Sequence, residues 1–357
     1  MGFGYPFLHN TILCSYARSA IYLALMTFNV KEKKVMLPAF TCQTTLPSAI
    51  RYAGGIPVYV DIDKSTLNMD ITDLLRKIDN DVSVVIVHCY YGGIPSNIKD
   101  IEDIARKNRI LLLVDAAHSF GESLDVVGDA VVYSFSKTLC NPGGGCIIFK
   151  DDNLYVRASD FQKRHESIFH EICMYPIVMS YYNALVLDRR VLQEYPLIKI
   201  SVWKKIVSKI LRSAGLYKMQ DYYKNISEID YGIYDTRMTK KQHDFIIKNL
   251  RKKEMIYNNR INIAYQLGEI FDNIVISKTF PLYAVFVSDV QKARKILESI
   301  GIKVRFTWPR FQRYTPNQLT ENVCWVRDHL ILLDIDSIDY KIIKYLKMYR
   351  GEIIGDM

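Results

Sequence analysis

The sequence predicts an α/β protein: a mostly parallel sheet between layers of helices, followed by a smaller α+β unit. Three observations carry this expectation. The first 150 residues alternate short apolar runs with helical patterns. The runs are apolar at consecutive positions, as in strands covered on both faces, which belong to parallel sheets. Toward the C-terminus the alternation gives way to two strand-like and two helical segments.

The strand-like runs lie at 35–37, 56–60, 84–87, 110–114, 131–133 and 146–149. Between them, Ala20, Leu23 and Ala24 share one face of a helix opening after Ser19, and further helical patterns cover 44–52 and 98–107. From about 157 to 234 the pattern is helical, basic and rich in tyrosine, and 203–212 reads as a basic amphipathic helix. A helix is predicted over 240–267. Strands are predicted at 280–286 and 330–333, and helices at 289–300 and 339–350. These patterns divide the chain into a large domain, 1–235, and a small C-terminal α+β domain, 236–357.

The 357 residues include 47 Lys+Arg and 38 Asp+Glu, a formal net charge of +9, with 49% hydrophobic and 24% charged residues. This balance excludes a disordered polymer, a collagen-like chain or a small disulfide scaffold. No run reaches the roughly 18 apolar residues of a membrane span. The N-terminus lacks a basic stretch followed by an apolar run, so no signal peptide is expected. The seven cysteines are never spaced as C-x-x-C and mostly sit in apolar runs. They point to a reducing, cytoplasmic setting and not to a metal site. The positive charge suits acidic partners such as nucleotides or phosphosugars, and no nucleic-acid-binding signature accompanies it.

Ligands of parallel sheets bind at the carboxyl ends of the strands. There, 110–114 leads into Asp115-Ala116-Ala117-His118, and 131–133 leads into Ser134-Phe135-Ser136-Lys137, ahead of the turn Gly143-Gly144-Gly145. A lysine at the mouth of a buried sheet is partly desolvated, which lowers its pKa and readies its amine to condense with a carbonyl. Alone, Lys137 reads as an ordinary surface lysine. Ser134 and the three glycines add a hydroxyl and backbone N–H groups able to hold a phosphate. Asp115 ends an apolar run, and a buried carboxylate needs a partner. A protonated pyridine nitrogen would serve, and so would the N–H groups of a following helix. Ala117 leaves room for a flat ring. His118 is suited to a phenolic oxygen or to a bond within the core. Ala17, Arg18 and Ser19 offer N–H groups and a guanidinium to an anion, or a plain helix start.

Together these blocks resemble the DegT/DnrJ/EryC1/StrS family of sugar aminotransferases, which are fold-type I pyridoxal-phosphate enzymes. The resemblance covers almost the whole chain and is strongest over 35–149. It rests on Pro38-Ala39-Phe40-Thr41, the segment 54–63, Tyr91-Gly92-Gly93-Ile94-Pro95, and the Asp115 and Lys137 blocks ahead of Gly144-Gly145. It implies a fold-type I aminotransferase-like large domain, here the cofactor-binding one, and pyridoxal 5'-phosphate as cofactor. It makes Lys137 the residue that bonds the cofactor and later moves a proton, with Asp115 at the pyridine nitrogen. His118 then lies near the phenolic oxygen, and Ser134, Arg18 and Ser19 hold the phosphate. The family's ring-stacking position falls near Cys42. Three departures stand out. The Ser-Phe pair and the lysine are two residues closer than is usual in the family, and its Gly-Glu-Gly-Gly has become Pro142-Gly143-Gly144-Gly145. The family's phosphate-binding Asn from the partner subunit aligns with Asp235, which cannot donate to a phosphate, leaving Arg237 to compensate.

The resemblance implies amino transfer from an amino-acid donor to a keto sugar, expected to be nucleotide-linked, in polysaccharide or amino-sugar biosynthesis by a homodimer. The family's dehydratases carry histidine in place of the lysine, so Lys137 favours transamination. A non-sugar ketone substrate stays open. So does a non-catalytic relative that binds a partner, motivated by Cys42, Gly143 and Asp235. Contact of 203–212 with a membrane surface is the less favoured reading of that segment, against a helix packed on the domain with its charges in water.

Overall fold

Strands without a polar face cannot show either side to water, so each must be covered twice. The computed structural model describes residues 9–42, 45–120, 127–139, 143–164, 237–238, 240–250, 253–271, 279–306 and 316–355. It gathers the apolar runs into one sheet of β1 (Thr11–Cys14), β2 (Lys34–Pro38), β3 (Ile56–Val60), β4 (Val82–His88), β5 (Leu111–Ala116), β6 (Ala130–Ser134) and β7 (Gly145–Phe149). Their spatial order is β1-β7-β6-β5-β4-β2-β3. The strands from β3 to β6 run parallel, and β7 is antiparallel to both β6 and β1.

Alternate residues feed opposite cores. Val84 and Ile86 join the cluster under α1 (Ala17–Thr27), α2 (Leu46–Tyr52) and, after β7, α6 (Asp152–Lys163). Val85 and Val87 join the cluster under α3 (Ile71–Lys77) and α4 (Ile98–Lys107). In α4, Ile98, Ile101 and Ala105 are buried at helical spacing, with charged residues between them. Side chains start two of these helices: Asp70 accepts from the N–H of Asp73 at α3, and Asp151 from those of Asn153 and Leu154 at α6.

A second sheet is antiparallel, in the order β8-β10-β9. The C-terminal elements are α7 (Lys240–Leu250), α8 (Lys253–Phe271), β8 (Leu282–Phe286), α9 (Val290–Ser299), β9 (Val304–Phe306), α10 (Glu321–His329), β10 (Leu330–Asp334) and α11 (Tyr340–Ile354). Tyr283, Val285, Ile331 and Leu333 pack under α8, α9 and α11. Ala284, Phe286, Leu330 and Leu332 belong instead to the cluster that contains α1 and α2. The two sheets thus share a core. Arg260 on α8, 2% exposed, ties them again. It donates to both oxygens of Asp336 at 2.8 and 2.7 Å, and to the carbonyls of Thr138 and Thr279 at 2.7 and 3.0 Å. Thr138 ends α5 (Phe135–Thr138), the turn that carries Lys137.

Several expectations need adjustment. β1, α3, β9 and α10 carry no sequence signal used above; β9 has three residues and α3 seven, too few for a period to show. The helix expected over 44–52 begins at Leu46, with Pro47 in its first turn. The helix expected over 240–267 corresponds to α7 and α8, on either side of 251–252. Of the basic middle segment, α6 accounts for its start; 203–212, Cys173 and Asp235 lie outside the described residues, as do Cys140 and Pro142. No helix among the described residues is long and apolar enough to cross a membrane.

The glycine turn serves a close approach. A Cβ on Gly145 would lie 2.6 Å from the backbone nitrogen of Ala17 and 2.8 Å from the carbonyl of Tyr133. Neither neighbour is a movable side chain. Gly145→Ala should therefore cost about 1–3 kcal/mol of stability. Gly351, inside α11 with nothing within 4 Å of its added Cβ, provides the contrast. Gly351→Ala should gain about 0.5–1 kcal/mol. Urea denaturation of the two variants checks the opposite signs.

Candidate active site

Parallel strands deliver their last residues to one edge of the sheet. The ladder sets His88 beside Asp115, Asp115 beside Val132, and Ser134 beside Gly145. Gly145 in turn pairs with Cys14, three residues before α1 begins. Pairing register alone thus lines up β4, β5, β6, β7 and the start of α1.

Lys137 and His118 meet here, with Nζ 3.0 Å from Nε2. The other ring nitrogen, Nδ1, accepts the backbone N–H of Tyr91 at 3.2 Å. A backbone N–H can only donate, so Nδ1 carries no proton and the neutral ring keeps its proton on Nε2. Nε2–H then points at Lys137, whose nitrogen can accept it in its amine form. The electrostatics lean the same way. Burial pushes the Lys137 pKa down, the Asp115 charge opposes this without reversing it, and the Arg18 charge adds to it. Burial, then the charges of Lys137 and His88, hold His118 well below the usual histidine value. Tyr91 makes its N–H available from a left-handed backbone, φ 49°, a conformation that costs a non-glycine residue about 1 kcal/mol or more. Phe280 stacks on the His118 ring, centroids 4.2 Å apart and planes at 23°.

Asp115 is 3% exposed. Burial alone would raise its pKa, but the charge and hydrogen bond of His88, the charge of Lys137 and the N–H of Ala117 hold it below the ordinary carboxylate range. Oδ2 lies 3.1 Å from Nδ1 of His88, and Oδ1 accepts the Ala117 N–H at 3.1 Å. The bond to Ala117 spans two residues in a turn, so Asp115 does not cap a helix. His88 continues through Nε2 to the hydroxyl of Thr41 at 2.9 Å.

The remaining expected residues divide. Ser134 and Ser19 are buried, and the Ser134 hydroxyl lies 3.0 Å from that of Ser136. Ala17 abuts Gly145. Arg18 and Cys42 are within electrostatic reach of Lys137, and the Cys42 sulfur accepts the Thr45 hydroxyl at 3.3 Å. Arg237 is not brought to this group. Its guanidinium donates to the carbonyls of Gln162, at 2.6 Å, and Lys163, at the end of α6, and its backbone pairs with Cys14.

Pyridoxal phosphate asks for an uncharged amine for its aldehyde, an ionised carboxylate for a cationic ring nitrogen, a donor for its phenolic oxygen and a polar cradle for its phosphate. Lys137, its pKa lowered by burial, Asp115 and Nε2–H of His118 are suited to the first three. Ser134, Ser136 and the start of α1 are suited to the fourth, and the missing Cβ of Gly145 keeps the backbone there clear. The donor set fits the cofactor.

Sequence reasoning missed four contributors. Thr41 and Tyr91 stood inside quoted motifs without a role. His88 directly follows the run expected at 84–87, but a lone histidine there has no assignable partner until its neighbour on β5 is known. Phe280 lies 162 positions from the ring it stacks on, beyond any local pattern.

The model of the DegT/DnrJ/EryC1/StrS aminotransferase family matches residues 8–190. GDP-perosamine synthase of Escherichia coli O157:H7 is 29% identical over 174 residues, 45% of this chain and 47% of that protein. The dTDP-4-dehydro-2,3,6-trideoxy-D-glucose 4-aminotransferase of Saccharopolyspora spinosa is 30% identical over 157 residues, 42% of this chain and 40% of that protein. The chain thus matches less than half the length of these curated relatives. Among solved structures, NtdA of Bacillus subtilis, with bound cofactor PMP, superposes with a TM-score of 0.68 over 96% of this chain and 73% of that one, at 16% identity. A likeness at that identity speaks for the fold, a fold-type I aminotransferase. The family match spans just over half of the sequence and includes Asp115, His118 and Lys137, and on it the chain belongs to the DegT/DnrJ/EryC1/StrS aminotransferase family, whose cofactor is pyridoxal 5'-phosphate.

Proposed function

We propose that this chain is an aminotransferase that moves an amino group from an amino-acid donor to a nucleotide-linked keto sugar, as a cytoplasmic homodimer in polysaccharide or amino-sugar biosynthesis. The observation that carries the chemistry is the buried Lys137 amine, its pKa lowered by burial, held 3.0 Å from Nε2 of His118. The sugar class is supported by two relatives whose names specify GDP- and dTDP-linked products or substrates.

Bound pyridoxal phosphate supplies an electron sink and carries the amino group between donor and acceptor. This chain's residues do the rest. Lys137 would supply the amine for an aldehyde, giving up its contact with His118 to do so, and the same nitrogen would be placed to move a proton at the substrate carbon. Asp115 stays ionised in a dry setting, where its charge favours a cationic ring nitrogen opposite. His118, fixed as a donor by Tyr91, offers Nε2–H to a phenolic oxygen. Arg18, Ser19, Ser134 and Ser136 are suited to the phosphate, the first by charge and the others by hydroxyls. Phe280 closes one side of the His118 ring and keeps water from it.

Borohydride reduction of the protein with pyridoxal phosphate should fix one label, on Lys137. Lys137→Ala should lose that label and about a thousandfold in turnover, and a persistent label would disprove the assignment. The protein should aminate members of a nucleotide keto sugar panel with glutamate or a similar donor, read by product mass. Amination of other ketones but no sugar would move the substrate class.

The pH dependence of folding tests His118. Its folded-state pKa is lowered, so below about pH 6.5 the unfolded chain takes up a proton that the folded chain refuses. Stability should fall as the pH drops through that range, by up to about 1.4 kcal/mol per pH unit for the one proton. His118→Gln should remove this part of the slope. Urea denaturation of the cofactor-free protein from about pH 7.5 to about 5.5 compares the two. Parallel curves would mean that His118 titrates as if in water.

A further inference from the structure

Asp115 has a neighbour that none of the roles above uses. His88 ends β4, is 7% exposed, and is fixed on every side. Nδ1 faces Asp115 Oδ2 at 3.1 Å, Nε2 faces the Thr41 hydroxyl at 2.9 Å, and the ring packs against Tyr90 with centroids 4.7 Å apart. Its backbone is held as well. The carbonyl of His88 accepts from Asn68 at 2.5 Å, and the next N–H, of Cys89, donates to the Asp115 carbonyl at 3.0 Å. An ionised carboxylate can only accept, so Nδ1 carries a proton and Nε2 pairs with Thr41.

We infer that His88, oriented by Thr41, is a positioning residue that holds the Asp115 carboxylate ionised and aimed for recognition of a protonated ring nitrogen. This rests on the reading of Asp115 as the partner of that nitrogen. The physical case is direct. A carboxylate this deeply buried would take up a proton if its donors were removed, and a protonated carboxyl cannot hold a cation. His88 and Ala117 occupy one lone pair on each oxygen and leave the others for a ligand. Among the described residues, the charged and titratable groups facing His88 include Asp115 on β5, His118 in the following turn and Tyr90, whose ring packs on it.

The test separates recognition of the ring nitrogen from general damage. Dissociation constants are measured on the full chain for pyridoxamine phosphate, which makes no covalent bond to lysine, and for its analogue with carbon in place of the ring nitrogen. The wild-type preference for the nitrogen-containing compound should be at least about tenfold, the order of one charge-assisted hydrogen bond. Asp115→Asn should abolish it. His88→Phe, which keeps a ring but loses the donor, should reduce it to about twofold or less while binding of the analogue stays the same. His88→Asn, whose amide can replace Nδ1–H, should restore most of it. If His88→Phe fails to fold, Thr41→Val decides, with an expected drop of about threefold in the preference. An unchanged preference in His88→Phe, or in Thr41→Val in its place, with loss in Asp115→Asn, overturns the role of His88 and leaves the aminotransferase reading intact. An unchanged preference in Asp115→Asn overturns both.

Discussion

Lys137 and Asp115 are both deeply buried, and each feels the charge of the other. In water such a pair would be ammonium and carboxylate. Here desolvation acts on the two unequally, because Asp115 has a histidine and a backbone N–H to stabilise its charge, while Lys137 has an uncharged histidine donor and the repulsion of Arg18. One site thus keeps the Asp115 charge while lowering the proton affinity of the Lys137 amine beside it. A nucleophile and an electrostatic anchor need that combination, and it depends on keeping water out.

The fold maintains this exclusion by coupling its two sheets. Phe280, which precedes β8, covers His118, and Arg260 on α8 joins Asp336 to the carbonyl that ends the Lys137 turn. The small sheet therefore forms part of the wall of the site. On the opposite side, Gly145 lets β7 pass α1 at backbone contact, which brings Arg18 and Ser19 up to the same edge. A shift of either part would admit water to Lys137 and return its amine toward the charged form.

Much of this was legible in the residues. The runs at 84–87 and 131–133 lie inside β4 and β6, and the pattern at 98–107 is α4. These elements are long or uniformly apolar, so local composition suffices to find them. Asp115, His118 and Lys137 were legible because each follows such a strand, and parallel strands send their ends to the same place. His88 also follows such a run, at 84–87, so its place at the edge was legible but its partner was not. Its meaning lies in the register of β4 against β5, which a list of strands does not contain.

The sequence by itself determined that there is a doubly covered parallel sheet, which residues end its strands, and hence which titratable groups collect at one edge. Covalent order and hydrophobic period are local properties, and they suffice for that. Only the tertiary structure decided the protonation of those groups. The tautomer of His118 follows from the N–H of Tyr91, the charge on Asp115 from His88, and the direction of Arg237 from the carbonyls that end α6. Each depends on a donor or acceptor brought in from a distant part of the chain. Burial then makes those contacts decisive, because no water remains to replace them.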